Sequence, residues 1–106
     1  PLDDSTKNIM NKDRLHMLKK NAILINLARG GLIDEAILKE VLIDNKIAGV
    51  ALDVFEIEPP IDPTFAAMDN VLITPHIGGS TEEAILAMGM AAINGLDNAK
   101  DPLNFL

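Results

Sequence analysis

Ala22-Ile23-Leu24-Ile25-Asn26-Leu27-Ala28-Arg29-Gly30-Gly31 is the stretch whose reading decides the fold. From Ala22 to Ala28 the chain is apolar at every position but Asn26, and it then runs into an arginine and two glycines. A continuous apolar run of this length reads as a strand buried on both faces, as in a parallel sheet. The pattern recurs downstream at Ala48–Val54 and, more briefly, at Val71–Thr74, where Pro75 halts it.

Helical signals fill the intervals. Asn11 is a plausible N-cap for a short helix to Lys20, with Leu15 and Leu18 on one side and Lys19-Lys20 suiting the negative end of the helix dipole. Asp34 caps a second helix, Glu35–Asp44, with Ile37, Leu38, Val41 and Leu42 on one side. Glu56–Pro63 holds three prolines and is loop. Phe65–Met68 is compatible with a single helical turn. Ser80-Thr81-Glu82-Glu83 reads as an S-x-x-E capping box opening a long helix to about Asn98. Its body, Ala84–Ile93, is apolar nearly all round, which predicts burial on most sides, against a further domain or a partner subunit. Asp101–Leu106 reads as a tail. The order helix, strand, helix, strand, loop, strand, helix argues for right-handed βαβ crossovers. The expected fold class is therefore α/β: a partial doubly wound parallel sheet, half of a Rossmann-type nucleotide-binding domain, with a long C-terminal helix.

Composition bounds the function. The 106 residues are 48% hydrophobic and 24% charged, the balance of one folded domain. Nine basic against sixteen acidic residues give a net charge of −7, which argues against nucleic acid or an anionic membrane as partner. Without cysteine there are no disulfides, thiolate metal sites or thiol nucleophiles. Ala84–Ile93 is too short to span a bilayer, and no signal peptide is evident, so the expected compartment is the cytoplasm. The chain opens on Pro1, and Leu2–Thr6 reads like the middle of a loop, which suggests a piece of a longer polypeptide.

In open α/β sheets ligands sit beyond the carboxyl ends of the strands. Here those ends carry Arg29, then Asp53 with Glu56 and Glu58, then Thr74-Pro75-His76 followed by Gly78-Gly79. Taken singly, each also fits an ordinary loop, cap or turn role, and His16 reads as a surface histidine. Together they suit carbonyl/alcohol redox chemistry. An arginine binds a carboxylate in bidentate fashion and polarises an adjacent carbonyl. A histidine donates a proton to the developing alkoxide, oriented by a neighbouring carboxylate. Hydride must come from a cofactor. A metal reading of His76, Asp53, Glu56 and Glu58 lacks any recognised ligand spacing. Neither G-x-S-x-G nor a P-loop is present.

Three segments carry a resemblance: Asn26–Glu35 (NLARGGLIDE), Ala48–Pro59 (AGVALDVFEIEP) and Thr74–Gly79 (TPHIGG). Together, and in this order, they closely resemble the D-isomer-specific 2-hydroxyacid dehydrogenases, phosphoglycerate dehydrogenase-like members among them. The resemblance implies a Rossmann-type domain, NAD as cofactor (with NADP as the alternative) and interconversion of a D-2-hydroxy acid with a 2-oxo acid. It implies catalytic roles for Arg29 as substrate-carboxylate ligand, His76 as acid/base and Glu58 as its carboxylate partner. Glu56 is set aside because the register of Pro59 selects Glu58. It implies cofactor contacts at the nicotinamide end from Leu27, Ala28, Arg29, Asp53, His76, Gly78 and Gly79. The chain departs from the family's pattern in lacking G-x-G-x-x-G and the ribose-binding acid after it. The expectation is thus a single partial domain, the C-terminal part of an NAD-binding domain, with negligible turnover by itself. The competing expectation is a non-catalytic module that self-associates through Ala84–Ile93 or a sheet edge.

Overall fold

A computed structural model describes residues 1–99, so the Asp101–Leu106 tail lies outside the described residues. The elements run α1 (Lys12–His16), β1 (Ile23–Asn26), α2 (Glu35–Ile43), β2 (Gly49–Leu52), β3 (Val71–Ile73) and α3 (Glu82–Asp97). Single 3-10 turns at Gly30–Leu32 and Phe65–Ala67 complete them. The chain divides into two units, residues 1–76 and 77–106.

In the first unit the three strands form one parallel sheet in the order β1-β2-β3. The register explains its two faces. Leu24, Val50 and Val71 lie abreast, as do Asn26, Leu52 and Ile73, and these rows face the core. The core is completed by Leu15 of α1, by Leu38, Val41 and Leu42 of α2, and by Ile33, Ile47, Phe55 and Phe65. Each such buried side chain contributes roughly 1.5–3 kcal/mol of hydrophobic stabilisation. The opposite row, Ile25-Ala51-Leu72, faces outward. Ile23, Ile25 and Leu72 are 68%, 63% and 64% exposed. The expectation of a first strand buried on both faces is corrected accordingly. The buried residues of α1 and α2 join a single core on one side of the sheet.

Local chemistry sets the element ends. The Asn11 side chain accepts from the Arg14 N–H, and α1 stops at His16, short of the expected Lys20. Asp34 accepts from the Ile37 N–H and starts α2, which ends at Ile43 with Asp44 as its C-cap. In the second unit Thr81, not Ser80, caps α3, its hydroxyl accepting from the Ala84 N–H at 3.1 Å. Two adjacent hydroxyls make the choice ambiguous in sequence; only backbone geometry separates them. No residue of α3 is buried, so the apolar surface of Ile85, Leu86, Met88, Met90 and Ile93 is exposed. Among the described residues no helix is long and apolar enough to cross a membrane.

Candidate functional site

The three strand ends are stitched together beyond the strands themselves. The Asp53 N–H donates to the Asn26 carbonyl at 3.0 Å, and the Thr74 N–H to the Leu52 carbonyl at 3.0 Å. Arg29, Asp53 and His76 therefore leave the sheet from neighbouring positions on one edge.

Asn26 organises the first exit. Its side-chain amide donates to the Arg29 carbonyl at 2.9 Å, while its side-chain oxygen accepts from the Ala28 N–H at 3.1 Å. A residue only 6% exposed thus has both polar ends satisfied, and the Leu27–Arg29 turn is held to the strand end. The amino-terminal segment braces the far side: the Asn8 and Met10 N–H groups donate to the Gly31 and Leu32 carbonyls at 2.8 and 2.9 Å. The Arg29 guanidinium donates to the Ala28 carbonyl at 2.7 Å.

Gly30 must be glycine. A Cβ there would stand 1.9 Å from the Phe55 carbonyl carbon and 2.2 Å from the Glu56 nitrogen. That close approach lays the arginine loop directly on the acidic loop after β2.

Asp53, 2% exposed, directly follows the second strand, and the Thr74 hydroxyl donates to its Oδ1 at 2.5 Å. A buried carboxylate needs such partners. Glu58 lies five residues further on. Its Oε1 accepts from the Phe55 N–H at 2.9 Å, and its Oε2 lies 2.6 Å from the His76 Nδ1. The His76 imidazole, the Phe55 amide and the more distant Arg29 charge hold the Glu58 carboxyl below the usual glutamate range. An ionised carboxylate only accepts, so Nδ1 carries the hydrogen and Nε2 is left to exchange a proton. His76 sits at φ 55°, in the left-handed region that non-glycine residues rarely occupy. Backbone strain of this kind concentrates at functional sites. Pro75 and the His76 N–H to Thr74 carbonyl bond at 3.1 Å make the turn that holds it there.

Two depressions meet at this pair. One, of about 410 Å³, is lined by Arg29, Gly30, Lys7, Glu56, Glu58 and His76 among others. The second, of about 370 Å³, runs from Asp53 past Ile73, Thr74 and Pro75 to Glu58 and His76. Leu27, Ala28 and Arg29 border a third, with Pro1 and Leu2. Gly78 and Gly79 belong to the second unit. Glu56 binds through its backbone, its N–H donating to the Glu35 Oε1 at 2.6 Å. Among the described residues no group of three or more His, Asp or Glu side chains could hold a metal ion. Asn26, Thr74, Glu35 and Lys7 are site residues to which the sequence assigned no role. Asn26 left a signal as the one polar residue inside an apolar strand, and Thr74 as a polar residue at the end of the third run.

A parallel α/β sheet whose strand ends combine a cation, a buried carboxylate and a paired His–Glu is that of a nucleotide-binding type of domain. Residues 1–78 match the family "D-isomer specific 2-hydroxyacid dehydrogenase, NAD binding domain", and the chain belongs to that family. It is 53% identical over 89 residues to D-3-phosphoglycerate dehydrogenase of Methanocaldococcus jannaschii, covering 84% of this chain and 17% of that protein. It is 43% identical over 96 residues to hydroxypyruvate reductase of Thermotoga maritima, covering 88% and 31%. Among solved structures, a glyoxylate reductase from Paecilomyes thermophila superposes with a TM-score of 0.86 at 37% identity, over 92% of this chain and 30% of that one. The chain thus spans less than a third of the length of each of these relatives.

Proposed function

We propose that this chain is the C-terminal part of the NAD-binding domain of an enzyme that interconverts a D-2-hydroxy acid and a 2-oxo acid. The observation that carries the reading is the 2.6 Å contact between Glu58 and His76 on the same depression as Arg29. In the reductive direction Arg29 binds the substrate carboxylate and polarises the adjacent C2 carbonyl. The reduced nicotinamide cofactor, when bound, would supply the hydride for C2. As the carbonyl electrons move onto oxygen, His76 Nε2 gives that oxygen its proton, and the imidazolium's Nδ1–H stays on Glu58. Oxidation reverses each transfer. Glu58, accepting at Nδ1, fixes the tautomer.

The residues present fit the nicotinamide end of such a cofactor. Asp53 offers a hydrogen-bonding carboxylate at the β2 end, beside the apolar wall of Ile73 and Pro75. Leu27, Ala28, Arg29 and His76 would supply the rest. NADP is the alternative cofactor: one solved relative, 49% identical, was crystallised with NADPH. The substrate we favour is 3-phosphoglycerate or its oxo acid, in line with the name of the 53% identical relative, with hydroxypyruvate and glyoxylate next. This 106-residue sequence contains no G-x-G-x-x-G, so by itself it should turn over negligibly.

The test is to assay the complete polypeptide that contains this chain for NADH or NADPH oxidation with 3-phosphohydroxypyruvate, hydroxypyruvate and glyoxylate. The reading requires turnover of at least one 2-oxo acid; inertness toward all three with both cofactors would defeat it. A second reading, self-association of this chain, is favoured by the unburied apolar surface of α3.

A further inference from the structure

We propose that Glu35 is a positioning residue: from the first turn of α2 its carboxylate fixes the Phe55–Glu56 peptide and thereby holds Glu58 against His76. The inference rests on the proton-transfer reading of that pair given above. Asp34 takes the Ile37 N–H and caps the helix. Glu35, the next residue, is free to reach off the helix, and its Oε1 accepts from the Glu56 N–H at 2.6 Å.

The amide one residue earlier, Phe55 N–H, donates to the Glu58 Oε1 at 2.9 Å. Two consecutive amides are therefore taken by two carboxylates, one from α2 and one from the loop itself. The face of the same peptide is closed by Gly30, where a Cβ would fall 1.9 Å from the Phe55 carbonyl carbon. Glu58 Oε2 then reaches His76 at 2.6 Å. The chain of contacts runs from α2 through the two consecutive peptides that meet at Phe55 to the Glu58 carboxylate, and from it to the imidazole. Glu35 occupies its place at a cost. Burial pushes its carboxyl up, and the nearby Glu56 charge adds to this, against the pull of the Glu56 amide. A residue serving only as a helix starter would stand in water instead.

Two variants separate reach from charge. Glu35→Asp keeps an acid in the first turn of α2 but withdraws the carboxylate by about 1.5 Å, one carbon–carbon bond. Glu35→Gln keeps the reach and the acceptor oxygen but loses the charge. Proton–nitrogen NMR on the 106-residue chain would follow the Phe55 amide and the His76 imidazole, with Glu58→Ala marking where both resonate when the pairing is lost. The proposal expects E35D to lose the wild-type positions of both signals and move towards those of E58A, and E35Q to retain them. Wild-type positions for both in E35D, with only the Glu56 amide displaced, would overturn it. So would displacement of both in E35Q. These resonances report geometry alone: turnover indifferent to His76 would defeat the dehydrogenase reading and leave the Glu35 tie standing, whereas unmoved signals in E35D would defeat the tie whatever the turnover.

Discussion

At Gly30 one methyl group decides whether two loops can meet. An added Cβ collides with backbone, which cannot rotate away as a long side chain can. Gly30→Ala should therefore lower stability by about 1–3 kcal/mol or more, read from the urea midpoint. An unchanged midpoint would mean that the arginine loop and the acidic loop are not in contact. Glu58 yields a prediction in pH. Its carboxyl is held below its ordinary 4.5, chiefly by the His76 hydrogen bond. A depressed carboxyl contributes stability above its ordinary value and loses it as pH falls through the lowered one. The pairing should thus persist on acidification past 4.5 and break only below it. A carbon NMR titration of the Glu58 carboxyl checks this, and a midpoint at or above 4.5 contradicts it.

Elements were largely legible because their local signals are strong. Asn11 and Asp34 cap where short polar side chains precede apolar periodicity. The three strands fall inside the three apolar runs. What misled was the first run itself. Composition says that Ile23 and Ile25 are apolar, but whether a layer covers them is decided by other segments, not by the strand. The candidate site was legible where a motif placed it at a strand end, as with Arg29, Asp53, Glu58 and His76. Asn26 acts through two hydrogen bonds to the turn after it, and Thr74 and Glu35 each through one across 21 residues, which no spacing rule announces. The two faces of the sheet predict unequal costs. Leu38→Ala, in the α2 face of the core, should lose about 2–5 kcal/mol. Ile25→Ala, on the outward row, should lose no more than about 0.5 kcal/mol, as at other exposed positions. Urea unfolding of both variants gives the comparison, and equal losses would mean that the outward row is covered.

For the whole molecule, exposed apolar surface on α3 and on the outward sheet row predicts that the chain alone sediments heavier than its 11.4 kDa monomer. Leu86→Lys should shift it back towards monomer, and a wild-type monomer at high concentration would remove this expectation. In the proposed function the strand-end constellation works as a unit, Arg29 binding a carboxylate and His76, set by Glu58, moving a proton. The most direct measurement is steady-state reduction of the preferred 2-oxo acid by the complete polypeptide, compared with its His76→Gln variant. The account predicts a fall in kcat of roughly 10²–10⁴-fold, the range of a lost general acid. A kcat within about threefold of wild type, less than 1 kcal/mol of barrier, would contradict it.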